Sequence, residues 1–205
     1  MKIFATMAAI AAVAAGNAAV LNFDDINTNG SAVATGPSYD GFNIAGDLFA
    51  MDKDYYNTFY SNQIQFPSAP NVAYNGYGEH EIDFTVTQPN GLGNNGGGLF
   101  GFSGLDAAFW AASNSQQYYS STTITVEGWL NGNLVGSSSM ELGANFAHLN
   151  GFAGQIDTLK ILNDGGVTWW LIDNVNTDVA VPEPTSMAAL GLGIAALLRR
   201  RAKKA

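Results

Sequence analysis

Carboxylates and aromatic rings are the side chains of this sequence that can do chemistry. There are no cysteines, which excludes thiolate nucleophiles and Cys-ligated metals. The two histidines, His80 and His148, would need a carboxylate to complete a zinc triad. The sequence favours calcium over zinc, because calcium binds about 6–8 oxygen ligands and the chain has many carboxylates. The acids that can supply such ligands are Asp24, Asp25, Asp52, Asp54 and Asp173. The alternative role for these side chains is the capping of turns.

A second acidic group occupies alternate positions of one β-rich segment. Glu79, Glu81 and Asp83 would share one face of a strand. The run from Glu81 to Phe84 resembles the catalytic strand of laminarinase-type glycoside hydrolases, in which a second glutamate follows closely. Here Thr85 and Val86 stand at that place, so the two carboxyl groups that a retaining enzyme holds about 5–5.5 Å apart are missing. We therefore predict a solvated acidic face on an edge strand and no enzyme.

Aromatic side chains could bind sugars by stacking on pyranose rings. The sequence holds 12 Phe, 8 Tyr and 4 Trp, too many for a disordered acidic chain. Two clusters, at residues 55–57 and 116–119, lie in polar, loop-like segments, so we expect some of their rings to face water. Core packing is the alternative for any single ring. The candidate rings are Tyr55, Tyr56, Tyr60, Tyr74, Tyr77, Tyr118, Tyr119, Trp169 and Trp170.

The charge of the chain is divided unevenly along its length. Residues 19–180 contain 16 of the 17 acids but only two basic residues, Lys53 and Lys160, which gives this part a net charge of −14. A body without a basic face does not neutralise phosphates, which excludes nucleic acid as a partner. Docking onto an anionic membrane surface is excluded for the same reason.

The amino-terminal residues have the features of a secretory signal. Lys2 is followed by an alanine-rich apolar run to about Ala15, and Gly16 and Ala18 would stand at the −3 and −1 positions of a cleavage site. The run is too short for a permanent membrane span. We predict that residues 1–18 form a signal helix that is removed; the alternative is a buried amino-terminal helix.

The carboxy-terminal residues 181–205 fall into three parts. Pro182, Glu183 and Pro184 come first, then twelve uncharged residues at 187–198, and then a basic cluster of Arg199, Arg200, Arg201, Lys203 and Lys204. The prolines end the folded body. The apolar run can enter a bilayer as a short transmembrane helix, and the basic cluster stays on the cytoplasmic side. The run is shorter than a comfortable span of about 20 residues, which favours a transient anchor.

This tripartite end resembles the PEP-CTERM sorting signal. Pro182-Glu183-Pro184 match its motif, and Arg199, Arg200 and Arg201 match its basic tail. The resemblance implies recognition by exosortase, a membrane-embedded transpeptidase of Gram-negative bacteria that make extracellular polysaccharide. It also implies export, transient residence in the inner membrane, and release to the cell surface or the extracellular matrix.

The sequence of residues 19–180 predicts one all-β domain. Short alternating or β-rich runs recur between turns, and the clearest is a hairpin around Asn131-Gly132. A turn or two of helix is expected only within residues 104–112. We predict an antiparallel, jelly-roll-like β-sandwich. The predicted strands are residues 20–23, 41–44, 63–66, 81–87, 122–130, 134–140, 156–162 and 167–175.

The body also resembles that of many PEP-CTERM proteins. Phe23-Asp24-Asp25 matches their first strand, and the run from Trp170 to Val175 matches their last, which is also similar to the last strand of jelly-roll carbohydrate-binding modules. Such modules often hold calcium between these two strands. The resemblance therefore implies a calcium site formed by Asp24, Asp25 and Asp173.

Two functions remain open from the sequence. The first is a non-enzymatic exported protein of the cell envelope or extracellular polysaccharide matrix, sorted and cleaved by exosortase. The second is a carbohydrate-binding module or degenerate glycoside hydrolase with the same sorting signal. The sequence alone does not assign the carbohydrate-binding residues.

Overall fold

The computed structural model describes residues 17–60, 64–86, 98–111 and 118–179, which fold into two packed antiparallel β-sheets. The predicted signal helix and the sorting segment lie outside these ranges. Within them, no helix is long and apolar enough to cross a membrane. The two packed sheets of the described residues confirm the predicted antiparallel β-sandwich.

The thirteen strands are numbered along the chain. The seven-stranded sheet has the order β11-β8-β13-β6-β5-β2, with β1 also paired to β13; the six-stranded sheet has the order β10-β9-β12-β7-β4-β3. The strands of the first sheet are β1 (Asn17–Leu21), β2 (Ala32–Ala34), β5 (Leu48–Asp52), β6 (Asn71–Asn75), β8 (Phe100–Phe109), β11 (Ala147–Ile156) and β13 (Trp170–Val179). Those of the second are β3 (Ser38–Tyr39), β4 (Phe42–Ala45), β7 (Glu81–Val86), β9 (Thr123–Leu130), β10 (Asn133–Glu141) and β12 (Thr158–Leu162).

The core lies between the sheets and follows from the alternation in the sequence. In β7, Ile82, Phe84 and Val86 point inward and are buried, whereas the residues between them are partly exposed. Phe42 packs edge to face against Phe84 and against Phe100 of the opposite sheet, with ring centroids 6.3 and 5.1 Å apart. These apolar contacts hold the two sheets together.

The predicted hairpin is confirmed. Leu130 pairs with Asn133, so β9 and β10 are joined by a two-residue turn. Asn131 and Gly132 have φ angles of 54° and 76°. This left-handed pair matches the right-handed twist of the strands, and Asn-Gly adopts it at little cost.

Three other predictions were wrong. Residues 104–109, expected to begin a helix, belong to β8, because pairing on both sides with β11 and β13 overrides the helix propensity of the alanines. Residues 64–66 form no strand. The structure instead has a helix, α1 (Lys53–Tyr60), where loop-like polar residues were expected.

Helix α1 lies on the outer face of the seven-stranded sheet. The Asp52 carboxylate accepts a hydrogen bond from the Tyr55 amide at 2.7 Å, which caps the first turn. Tyr56 is fully buried in a second, smaller apolar cluster that includes Met51, Trp110 and Leu171. Burial of this ring, more than helix propensity, holds the helix on the sheet.

Candidate functional site

An open cleft lies on the outer face of the seven-stranded sheet, at the end where β13 begins. Its volume is about 270 Å³. Among the described residues, six of the lining side chains are aromatic and none is charged. The lining residues are Phe49, Tyr60, Tyr74, Gly76, Tyr77, Trp110 and Trp169.

The rings of the cleft form one continuous series of contacts. Successive centroids lie between 4.7 and 6.4 Å apart, within the range of favourable aromatic pairs. Tyr60 joins the series at Trp110, at 4.6 Å. The order is Tyr77, Phe49, Tyr74, Trp110, Trp169 and Tyr119. We call this series the aromatic ribbon; its two terminal rings, Tyr77 and Tyr119, are 74% and 48% exposed.

Tyr77 is presented by a constrained 3₁₀ turn at Gly76–Gly78. Its φ of 55° lies in the left-handed region that bulky residues rarely adopt. A Cβ on Gly76 would lie 2.4 Å from the Phe49 ring, and one on Gly78 would lie 2.8 Å from Val167. Both neighbours therefore have to be glycine, and the backbone holds an exposed ring in one orientation. Strain of this kind concentrates at functional sites.

A buried asparagine joins the two walls of the cleft. The side-chain nitrogen of Asn75 donates to the carbonyls of Glu79 and Thr168 at 2.7 and 2.8 Å, and its side-chain oxygen accepts from the Trp170 amide at 2.9 Å. Asn163 donates to the same Thr168 carbonyl at 2.8 Å. These bonds tie the turn that carries Tyr77 to the segment that carries Trp169.

Asp164 fixes the wall that carries Tyr119. Its carboxylate accepts bonds from the amide and hydroxyl of Thr122, both 2.7 Å, and from the Thr168 hydroxyl at 2.8 Å. Burial alone would raise the pKa of Asp164, but these bonds hold it below the usual value. The Trp169 amide also donates to the Tyr119 carbonyl at 2.7 Å, so both rings are set by the backbone.

The polar side-chain groups of the described lining are tyrosine hydroxyls and indole N–H groups. Burial raises the pKa of the Tyr74 hydroxyl, with a smaller effect from neighbouring tyrosines, so it stays protonated at any physiological pH. A neutral phenol both donates and accepts hydrogen bonds. The cleft therefore offers stacking surfaces and neutral hydrogen-bonding groups, and its described lining residues include no carboxylate, histidine or lysine.

The structure places the predicted aromatic residues in different surroundings. Tyr60, Tyr74, Tyr77 and Trp169 line the cleft, and Tyr119 contacts Trp169 beyond the lining. In contrast, Tyr56 and Trp170 are fully buried, Tyr118 is almost fully exposed, and Tyr55 packs against α1 residues.

Sequence reasoning missed Phe49 and Trp110. The run Leu48-Phe49-Ala50-Met51 is apolar on both faces, which indicates a strand covered on both sides and could have identified Phe49. Trp110 was missed because a helical turn, rather than the end of a strand, was predicted for residues 104–112.

The predicted calcium ligands are only partly brought together. Asp173 is buried, and its carboxylate accepts bonds from the Ser68 amide and hydroxyl at 2.7 and 2.9 Å and from the Asn174 amide at 2.7 Å. Burial raises the pKa of Asp173 to about 6, and the charge of nearby Asp24 adds to the increase. Asp25 instead accepts a bond from the Tyr39 hydroxyl at 2.6 Å.

One unsatisfied oxygen lies beside this acidic pair. The Asn71 amide donates to Asp24 at 2.9 Å, and its side-chain nitrogen donates to the Phe23 and Ile26 carbonyls, both at 2.8 Å. The side-chain oxygen of Asn71 is buried and has no hydrogen-bond partner among the described residues. Among the described residues, no group of three acidic or histidine side chains lies close enough together to hold a metal ion.

The carboxylates of β7 lie on the other sheet, away from the cleft. β7 is an inner strand between β12 and β4, which corrects the predicted edge strand. Lys160 contacts Glu81 at 2.5 Å and Asp83 at 3.6 Å. Burial and the Glu81 charge raise the pKa of Asp83. Lys160 pairs with Glu81 and Asp83 across neighbouring strands, and this cross-strand ion pairing explains why the carboxylates lie together.

A family model for the PEP-CTERM protein-sorting motif matches residues 180–202. The chain carries a PEP-CTERM sorting motif. The match contains Pro182, Glu183 and Pro184, together with the three arginines at 199–201, which confirms the PEP-CTERM prediction from the sequence.

Other comparisons of this PEP-CTERM chain concern its body. No protein of curated function matches it. A solved xylan-binding domain, CBM22-1 from Paenibacillus barcinonensis Xyn10C, aligns with a TM-score of 0.43 at 15% identity, over 83% of this chain and 99% of that one. The C-terminal family 22 carbohydrate binding module of Clostridium thermocellum Xyn10B aligns with a TM-score of 0.39 at 11% identity, over 77% and 99%.

Proposed function

We propose that this chain is an exported, non-enzymatic protein whose β-sandwich binds a polysaccharide in the aromatic cleft. The aromatic ribbon is the observation that carries the proposal. It combines rings exposed at both ends with a concave, uncharged lining, as expected of a site for a sugar chain.

The arrangement of the rings favours binding over simple core packing. A ring that only fills the core has no need of exposure, yet Tyr77 is largely in solvent on a strained backbone. Two backbone-fixed walls keep the cleft open without a ligand, which lowers the entropic cost of binding. Pyranose rings have apolar faces that stack on aromatic side chains, and their hydroxyls match neutral phenols.

The sorting motif supports the cellular part of the proposal. We infer that the signal at residues 1–18 directs export and that exosortase cleaves near Pro182-Glu183-Pro184. The chain then resides only transiently in the inner membrane of a Gram-negative bacterium. Its destination is the cell surface or extracellular matrix, where polysaccharide is abundant.

The absence of catalysis is part of the proposal. The lining residues that the structure describes include no carboxylate, and Glu81 lies on the other sheet with Lys160 as its partner. A glycoside hydrolase requires two carboxyl groups that flank the scissile bond. We therefore expect binding without hydrolysis, and hydrolysis of a β-glucan that Glu81→Gln abolishes would overturn this part.

A pull-down with full-length protein in detergent tests the binding. The panel contains xylan, cellulose, a mixed-linkage β-glucan and alginate. We expect retention by at least one of them and loss of retention in Tyr77→Ala and Trp169→Ala. Phe59→Ala is the matched control, because Phe59 is an exposed ring outside the cleft. Flow-through of the wild type on all four materials, or equal loss in the control, would count against the cleft.

A structural calcium ion is a second proposal, supported by the buried unsatisfied oxygen of Asn71. Asp24, Asn71 and Asp173 would hold it, and Asp25 would not. Bound calcium would neutralise the two carboxylates and hold the segment of Ser68 and Asn71 against the last strand.

A further inference from the structure

Strand β13 connects the aromatic cleft with the sorting motif. The strand begins at Trp170, directly after the cleft residue Trp169, and ends at Val179. The family model for the sorting motif matches from residue 180. The two functional regions are thus the two ends of one strand, with no linker in the sequence between the strand and the motif.

The far end of β13 is held on both sides to its last residue. Val179 pairs with Asn17 of β1 on one side and with Phe100 of β8 on the other. The chain therefore leaves the sandwich from a fixed point in the sheet. A strand of ten residues at about 3.3 Å per residue places this exit about 30 Å from the cleft.

The charge of the body opposes contact between its sides and the lipid. Residues 19–180 carry a net charge of −14, and Asp178 is exposed one residue before the exit. Anionic headgroups repel such a surface. Electrostatics thus disfavours a sandwich that lies flat on the membrane.

We propose that the sandwich stands on the membrane while the sorting segment still anchors the chain, with the aromatic cleft at the membrane-distal end. In this orientation the uncleaved protein engages polysaccharide before its release. The identity of the ligand rests on the proposed function, whereas the orientation rests on β13, the charge of the body and the sorting motif.

The lack of cysteine in the sequence provides a direct test. Single cysteines are introduced by Tyr77→Cys, Val167→Cys and Asp178→Cys into the full chain, with Pro182-Glu183-Pro184 replaced by alanines, in a host without exosortase. Val167 is 64% exposed beside the cleft and serves if Tyr77→Cys disturbs its strained turn. Each variant reacts with a polymer-linked maleimide in spheroplasts and again in detergent.

We expect the cysteine beside the cleft to react at the same rate in both conditions and the Asp178→Cys thiol to react severalfold more slowly in spheroplasts. The proposal would be overturned if both positions showed the same ratio of the rate in spheroplasts to the rate in detergent, or if the cysteine beside the cleft were the one slowed in spheroplasts. Recovery of the chain in the soluble fraction would also overturn it. If labelling follows expectation but no glycan is retained, the proposed ligand fails and the orientation stands. If a glycan is retained but labelling does not discriminate, the orientation fails alone.

Discussion

The rings of Tyr77 and Phe49 meet edge to face at one end of the cleft, with centroids 5.7 Å apart and planes at 90°. Gly76 makes this contact possible, because a Cβ at this position would lie 2.4 Å from the Phe49 ring. The outermost ring of the aromatic ribbon is therefore positioned by a residue that has no side chain.

Gly76→Ala should disturb the cleft through one methyl group. The new Cβ would lie 2.4 Å from Phe49, so the turn or the ring has to move, at a cost of about 1–3 kcal/mol. We expect a lower melting temperature and weaker glycan retention. Gly143→Ala is the control, since its Cβ would have no neighbour closer than 3.9 Å. Wild-type binding by Gly76→Ala would contradict the role of the turn.

Asn75→Ala should destabilise the fold by about 3 kcal/mol, because it leaves the buried Trp170 amide without its partner and removes the shorter of the two hydrogen bonds to the Glu79 carbonyl. Urea unfolding measures the change. Asn133→Ala removes an exposed turn asparagine and should shift the midpoint little. Equal midpoints for the two variants would show that the buried bonds contribute no more than the exposed one.

Calcium should stabilise the protein through Asp173. At about 100 times its dissociation constant, a ligand that binds only the folded state adds about 2.7 kcal/mol. We expect a chelator to lower the melting temperature of the wild type and of Asp25→Asn, but not of Asp173→Asn. An unchanged wild-type melting temperature after chelation would remove the calcium site.

Acid should weaken the cap of α1. Burial opposes ionisation of Asp52, but bonds from the Tyr55 amide and the Thr28 hydroxyl hold its pKa below the usual value. The folded state therefore binds this proton less readily than the unfolded state. The stabilisation of the folded state by ionised Asp52 is complete above the unfolded pKa of about 4. It is lost as the pH falls through the lower pKa of the folded state.

Asp52→Ala should cost about 1 kcal/mol at neutral pH and less in acid. Denaturant unfolding at several pH values measures both. Asp54→Ala, one residue into the helix, should leave most of the acid dependence in place. A constant difference between wild type and Asp52→Ala across the pH range would contradict the assignment.

Replacement of Pro182-Glu183-Pro184 by alanines should leave an uncleaved, membrane-bound chain in the native host. Alanine at Thr185 and Ser186 is the control and should allow processing. Immunoblots of membrane and medium fractions distinguish the two, and normal release of the motif variant would rule out exosortase cleavage at this motif.

Local patterns in the sequence predicted the sandwich but not the cleft. Alternation identified β7, and Asn131-Gly132 identified the hairpin, because both depend on neighbouring residues. Helix α1 begins at a local cap from Asp52, but it is held in place by burial of Tyr56 against Trp110, which is a tertiary contact.

The cleft was beyond prediction for the same reason. Phe49, Tyr74, Trp110 and Trp169 come from four separate segments that only the strand order brings together. The Asp24 and Asp173 pair was anticipated through family resemblance, whereas Asn71 had no signal in the sequence.

The position of β13 in the sheet also bears on how the protein reaches its destination. The last strand to be synthesised lies between β8 on one side and β6 and β1 on the other, so the sheet has a gap at its centre until residue 179 is available. A partial chain cannot complete its core, since these pairings join the most distant parts of the sequence. If the chain is exported as we propose, we expect its body to complete the sheet only after residue 179 has crossed the membrane.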